Sequence, residues 1–333
     1  VNGDANQTHL SGYLDSLAGQ RQLSAHTISN YARDLKELAS LTQALGDSWE
    51  FAAVTHFHIR KFAAQLHSRG LNPSSIARKL SAWRGFFEWL AEQTTLATNP
   101  VEGVKAPKRA KPLPKAMAAD DAIHLVASGN PLAEAGSSMA LCNHAMFELL
   151  YSSGLRVSEL AGLDLRYSKQ AGYESAGWID LDAAEVTVTG KGGKKRSVPV
   201  GNPAIQAITA WLPQRQTLLK NDQDDNGDKR DKDGHAAALF LTERGTRVSP
   251  RVIQLRLKHH ALSLGIASNV HPHVLRHSFA SHMLQGSGDL RAVQELLGHA
   301  SIAATQVYTS LDFQRLAQVY DAAHPRAKKI SDT

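Results

Sequence analysis

The stretch NPVEGVKAPKRAKPLPK, residues 99 to 115, decides how the rest of this 333-residue chain is read. Its four prolines remove backbone donors and fix φ, which disfavours both helix and sheet, so the stretch is predicted to be an extended linker. Its lysines and arginines, Lys108, Arg109 and Lys111 among them, make it strongly basic. On either side the hydrophobic pattern differs. That leaves a domain over residues 1–98 and a larger one over residues 116–333, close to the usual domain size of about 100–200 residues.

The first domain has a helical period throughout. Ile28, Tyr31, Leu35 and Leu38 fall on one face behind Ser24, and Ile76, Leu80, Trp83, Phe86, Phe87 and Leu90 recur at helical spacing after Pro73. Segments around Leu10 to Leu17 and Ile59 to Leu66 complete a set of four amphipathic helices. Arg78, Lys79 and Arg84 line up along the last one, either as a solvated face or as a set of phosphate contacts.

Past the linker, helices are expected near Asn143 to Ser152 and, after a turn at Gly154, from Arg156 to Leu163. The period then changes. EVTVTGKGGKKRSVPV, residues 185 to 200, has two β-rich runs flanking a glycine-lysine turn, a hairpin signature. Helix resumes from Asn202 to Leu219 and again from Pro250. Residues 220–235, KNDQDDNGDKRDKDGH, lack apolar residues and periodicity and are predicted to be a flexible surface insertion. The fold class is therefore mainly α with a small β-hairpin or sheet.

The formal net charge is +6, although the insertion alone holds six acidic against four basic residues, so the remainder is more basic than the total suggests. Such a balance favours a polyanionic partner. The single cysteine, Cys142, excludes a disulfide framework within the chain and reads as a small buried hydrophobe. No apolar run reaches the roughly 18 residues of a membrane span, and the first 30 residues lack a basic-then-apolar leader pattern. A cytoplasmic protein with no membrane partner is the expectation.

Four motifs carry chemistry. In HPHVLRHSFASHML, residues 271 to 284, His273 and His277 stand four apart, a spacing open to a metal. The neighbours are arginines, not carboxylates or thiolates, so no metal site is assigned. An arginine presents a planar fork that matches two phosphate oxygens and keeps its charge. Arg276 is one, and Arg156 in GLRVSEL is a second, with Glu159 one turn away and able to orient it. GKGGKK puts Lys191 at a hairpin tip. In LLGHASIAATQVYT, Gly298 terminates a helix, His299 follows, and Tyr308 lies nine residues further on, where a short helix from Ser301 is expected. Taken singly, each of these is more often structural than chemical.

Their order and spacing together resemble the tyrosine recombinases, and most closely the bacterial Xer group. GLRVSEL, GKGGKKR, HPHVLRHSFASHML, DLRAVQELLGHASIAATQVYT and YDAAHPRA carry the resemblance over nearly the whole chain, with residues 166–178 and 220–235 standing out as extra loop. The resemblance implies a C-shaped clamp made of a helical, SAM-like DNA-binding domain and an α+β catalytic domain. It implies that Tyr308 is the nucleophile toward a DNA phosphodiester, that Arg156, Arg276 and His299 bind the phosphate, that His273 is the general base and Lys191 the general acid, and that Glu159 orients Arg156. Neither metal nor any other cofactor is implied. Arg78, Lys79, Arg84, Lys108, Arg109 and Lys111 would contact double-stranded DNA at a dif-like site. Residues 312–333, through Phe313, Leu316 and Tyr320, would dock on a neighbouring subunit of a heterotetramer with a XerD-like recombinase, under the septal DNA translocase FtsK; the alternative is that this apolar stripe folds back on its own domain. A phage or mobile-element integrase, a type IB topoisomerase and a non-catalytic DNA-binding protein remain alternatives.

Overall fold

Every expected helix of residues 1–98 is present, and each runs longer or is better capped than periodicity alone requires. The structure, a computed structural model, describes residues 2–19, 25–46, 49–96, 98–108, 116–128, 137–170, 172–190, 193–223, 234–266, 270–298 and 310–327. Two compact units divide between Leu113 and Pro114.

The first unit contains α1 (Asn2–Gly19), α2 (Ala25–Gln43), a 3-10 turn (Phe51–Ala53), α3 (His56–Ser68) and α4 (Pro73–Gln93). The start of α3 is fixed reciprocally: the Thr55 hydroxyl accepts from the His58 amide, and His58 Nδ1 accepts from the Thr55 amide at 3.1 Å. Asn72 caps α4 through its side-chain oxygen, 3.0 Å from the Ser74 amide, with Pro73 in the first turn where no donor is needed. The buried stripe predicted for α4 is the core itself, where Trp83, Phe86 and Phe87 pack with Tyr13, Phe51, Phe62 and Leu38.

The linker begins later than its prolines suggest. Val101 and Val104 are buried in this same core, and Asn99 ties the turn down, donating to the Arg84 carbonyl and accepting from the Val101 amide, each at 3.0 Å. Two valines at a spacing of three were enough to recruit the chain into the helical unit. Lys105 and Lys108 are exposed beyond it.

The second unit is built around α6 (Ser138–Ser153), buried from Ala145 to Ser153 on every face. Around it lie α5 (Ala119–Ala127), α8 (Asn202–Gln223), α9 (Pro250–Ser263) and α10 (Pro272–Ser287). The region expected as one hairpin is a four-stranded sheet of order β1-β4-β5-β6. It comprises β1 (Leu163–Asp164), β4 (Gly177–Asp180), β5 (Glu185–Thr189) and β6 (Lys195–Pro199), with β1 parallel to β4 and the others antiparallel. The helix expected to reach Leu163 is shorter, α7 (Val157–Ala161), because Leu163 and Asp164 join the sheet.

Residues 166–178, read as extra loop, instead hold a small hairpin, β2 (Lys169–Gln170) with β3 (Tyr173–Glu174). Its anchor is the fully buried Asp164, which accepts from Tyr173 at 2.8 Å, from Ser175 and from Arg247 at 2.6 Å. The charged stretch 220–235 is likewise entered by helix, since α8 continues to Gln223; residues 224–233 lie outside the described residues. Finally α11 (Leu290–Leu297) and α12 (Ser310–Ala323) close a second small core with β6 and α10, made of Val198, Phe279, Met283, Leu296, Leu316 and Tyr320.

Candidate active site

Three separate elements end at one place in the second unit. Helix α6 terminates at Gly154, whose φ of +56° is left-handed and whose missing side chain matters: a Cβ would lie 2.4 Å from the Phe279 ring. That tight exit sets Arg156 at the N-terminus of α7. The Arg156 amide donates to Glu159 Oε2 at 2.8 Å and its guanidinium to Oε1 at 2.7 Å. The orientation of Arg156 by Glu159 expected from GLRVSEL is thus present in detail.

Arg276 approaches the same point from α10. It is buried, and its two terminal nitrogens donate to the carbonyls of Gly154 and Leu297, the latter at 2.6 Å. The Leu297 carbonyl is one of the last of α11, which has no partner within its own helix, so a cation here completes both its hydrogen bonding and its dipole. Burial, then the nearby charge of Arg156, lowers Arg276 to about 10, while Glu159 opposes the shift. Arg276 is still a cation at neutral pH.

His273 stands in the first turn of α10 and is exposed, with His271 beside it at 6.1 Å between ring centroids. His277 is also exposed. Lys191, His299 and Tyr308 lie outside the described residues, as does the expected helix from Ser301; the structure describes only the flanks that carry them. The hairpin closes at Gly190, whose amide donates to the Lys194 carbonyl at 2.7 Å, and α11 ends at Gly298 immediately before His299.

One residue was missed. Arg196 sits on β6, its guanidinium parallel to the Glu159 carboxylate, Nη1 to Oε1 at 2.8 Å and Nη2 to Oε2 at 2.9 Å. Its Nε donates to the Leu296 carbonyl at 3.0 Å. In the sequence it looks like part of the basic turn GKGGKKR. The available signal was the strand period: Arg196 and Val198 share the inward face of β6. A charge on an inward position needs a carboxylate partner.

The amino-terminal basic residues divide. Arg78 is exposed and Arg84 half-buried, but Lys79 is buried between Asp34 at 3.1 Å and Glu37, in the seam between α2 and α4. Lys79 is therefore a structural cation, a correction to its reading as a DNA contact. Lys108 is exposed, whereas Arg109 and Lys111 lie outside the described residues.

The terminal segment also requires correction. Leu316 and Tyr320 are buried in the second unit's own core, with the Tyr320 hydroxyl 3.1 Å from Ser152 Oγ, and they are not free to dock on a neighbour while packed there. The ring of His324 stacks on Tyr320 at 4.9 Å, and Arg326 pairs with the buried Glu148. The apolar stripe on α12 found a partner within its own chain. The Phe313 side chain lies outside the described residues.

Cys142 is buried, and burial pushes its thiol up to about 12, an inert position. Among the described residues no helix is long and apolar enough to cross a membrane.

Two arginines set around a helix start, with strand β6 and the end of α11 fastened beside them, define a class. The chain belongs to the phage integrase family: the family's catalytic domain matches residues 117–315, and its N-terminal SAM-like domain matches residues 10–94. Within that family it stands among the tyrosine recombinases. It is 52% identical over 321 residues, 96% of this chain and 94% of the other, to the protein named Tyrosine recombinase XerC from Ralstonia pickettii (strain 12J). It is 44% identical over 320 residues, 96% of this chain and 95% of the other, to a protein of the same name from Pseudomonas aeruginosa (strain PAO1). The fold is shared with a XerH site-specific recombinase solved on its palindromic difH substrate (TM-score 0.61, 18% identity, 94% of this chain and 84% of that one). It is shared too with a lambda integrase fragment solved on a core site (TM-score 0.60, 18% identity, 91% of this chain and 99% of that one). The protein is an enzyme, a tyrosine site-specific recombinase.

Proposed function

We propose that this recombinase acts in the cytoplasm on double-stranded DNA at a dif-type site, together with a XerD-like partner and under the septal translocase FtsK, to resolve chromosome dimers before cell division. Tyr308 Oη attacks the scissile phosphorus as the bond to the 5′-oxygen breaks. The tyrosine proton passes to His273, and Lys191 protonates the departing 5′-oxygen, which leaves as a 5′-hydroxyl. The product is a 3′-phosphotyrosyl link that retains the energy of the broken bond, so a 5′-hydroxyl from another strand reverses the step through a Holliday junction without ATP. Arg156 and Arg276 hold the non-bridging oxygens, His299 adds a further hydrogen bond, and these fixed charges do the neutralising for which no metal is then needed.

The observation that supports this reading is the excess positive charge among the described residues of the site: the guanidinium groups of Arg156 and Arg196 pair with the carboxylate of Glu159, and Arg276 lies near enough to feel its charge. A phosphate completes that balance. Exposed Arg78, half-buried Arg84 and exposed Lys108, with Arg109 and Lys111, are proposed to contact the duplex through its phosphates.

The test is covalent capture on a nicked duplex carrying the dif-type site of the same genome, with the partner recombinase present. Wild-type protein is expected to form a denaturant-stable adduct in a chelator, and Tyr308→Phe none. An adduct that survives Tyr308→Phe, or that a chelator abolishes, would overturn the mechanism.

A further inference from the structure

We propose that Arg196 is a positioning residue for strand cleavage, which acts through Glu159 to hold Arg156 and through the Leu296 carbonyl to fasten the end of α11; this rests on the recombinase mechanism above.

The placement of Arg196 is unusual in how many catalytic segments one side chain joins. It grows from β6, five residues after Lys191, and so belongs to the hairpin that carries the general acid. Its two terminal nitrogens take both oxygens of Glu159, the carboxylate that also holds the Arg156 amide and guanidinium. Glu159 thereby accepts four hydrogen bonds, which fills the lone-pair sites a carboxylate has. It cannot swing without breaking a bond to Arg196 or to Arg156.

The third donor of Arg196 goes to the Leu296 carbonyl, next to the Leu297 carbonyl held by Arg276. Together the two arginines fasten the last turn of α11, from which the chain leaves through Gly298 to His299. Gly298 has φ +64°, and a Cβ there would meet Arg196 Cδ at 3.0 Å, so the exit of α11 and the Arg196 side chain are fitted to each other. Sub-ångström placement of a phosphate clamp is where such support matters, since a shift of about 1 Å can cost about 10²-fold in rate.

Arg196 also sets the charge state of Glu159. Burial would push the Glu159 carboxyl up, but hydrogen bonding and charge from Arg196, joined by the Arg156 amide and guanidinium, hold it below its ordinary value. Glu159 is faced by Arg156 and Arg196, and Arg276 also feels its charge. Without Arg196 the burial effect is opposed by Arg156 and Arg276 alone. The carboxyl then titrates at a higher pH, and its hold on Arg156 weakens as pH falls.

The experiment measures single-turnover adduct formation at saturating nicked dif-type duplex, alongside duplex affinity and thermal midpoint. Arg196→Lys keeps the charge beside Glu159, and so the fold, but loses the parallel fork and the Leu296 bond. Expected are a cleavage rate lower by about 10-fold to 10²-fold for Arg196→Lys and Arg196→Gln, with affinity within about two-fold of wild type. The deficit of Arg196→Gln is expected to widen as pH falls from 8 to 5.5, and this widening to vanish when Glu159→Gln is added, because the titrating group is gone. A wild-type rate in Arg196→Lys at saturating duplex overturns the proposal, and so does a pH-independent deficit that simply multiplies with that of Glu159→Gln. Failure of the wild-type protein itself to form an adduct overturns the recombinase mechanism and this inference with it, which separates the two.

Discussion

The two units each contain a buried carboxylate that grips two cations, and they use it differently. In the helical unit Asp34 on α2 holds the buried Lys79 and Arg78, whose side chain is 47% exposed. In the catalytic unit Glu159 holds the buried Arg196 and Arg156, whose side chain is 36% exposed. Burial barely separates them. What differs is the charge left over among the described residues: Lys79 has a second carboxylate in Glu37, so two cations meet two anions, whereas Arg156 and Arg196 share one carboxylate and stand beside Arg276. A neutral cluster is a seam between helices. A cluster with spare positive charge, held rigid and partly open, is prepared for an anion.

The sharpest way to break this contrast is to remove the half-exposed cation of the charged cluster. Arg156→Ala is expected to lower single-turnover cleavage by about 10²–10³-fold, as loss of one transition-state donor does, or about 3–4 kcal/mol. Its thermal midpoint should stay close to wild type, because Glu159 keeps its paired bonds to Arg196. An unchanged cleavage rate would show that spare charge does not mark the site.

Next in size is the converse experiment on the neutral cluster. Asp34→Asn leaves Lys79 buried with Glu37 as its remaining partner, and the cost is expected at about 3 kcal/mol of stability, the lower end for a broken buried pair. Denaturant melts read this directly. Cleavage by the folded fraction at saturating DNA should match wild type, and a specific loss of catalysis would erase the distinction between the clusters.

These same clusters show what could be read from the sequence and what could not. The four amino-terminal helices were legible because Trp83, Phe86, Phe87 and their neighbours recur at the helical period and do form the core. Arg156 and Arg276 were legible because their motifs recur in a known order, and the structure brings them together at Gly154. Lys79 was not, since a stripe of basic residues on a helix says nothing about a carboxylate on the neighbouring one; Asp34 lies 45 residues away in the chain. Arg196 was hidden for the opposite reason: its partners, Glu159 and the Leu296 carbonyl, are 37 and 100 residues distant, and the neighbouring lysines made it look solvated. The cover of α12 could not be chosen from the sequence, because an apolar stripe specifies that something covers it, not what. Here Val198, Phe279, Met283 and Leu296 cover Leu316 and Tyr320 from within the second unit, and Ser152 meets the Tyr320 hydroxyl.

The smallest expected effect refines the comparison most finely, because Arg78 is the one residue that both clusters' logic could claim. It pairs with Asp34, yet it is exposed enough to reach a phosphate. If the neutral cluster is only a seam, Arg78→Ala removes one exposed partner and costs about 0–1 kcal/mol of stability, since Lys79 still satisfies Asp34. If Arg78 also serves the duplex, as the proposed function has it, binding weakens for all sequences alike and the salt dependence of log affinity loses about 0.9 of slope for the lost phosphate contact. The expected result combines a near-unchanged melt with that shallower salt slope. A slope identical to wild type would return Arg78, with Lys79, to the structural side and leave DNA contact by the amino-terminal unit to residues outside the Asp34 cluster.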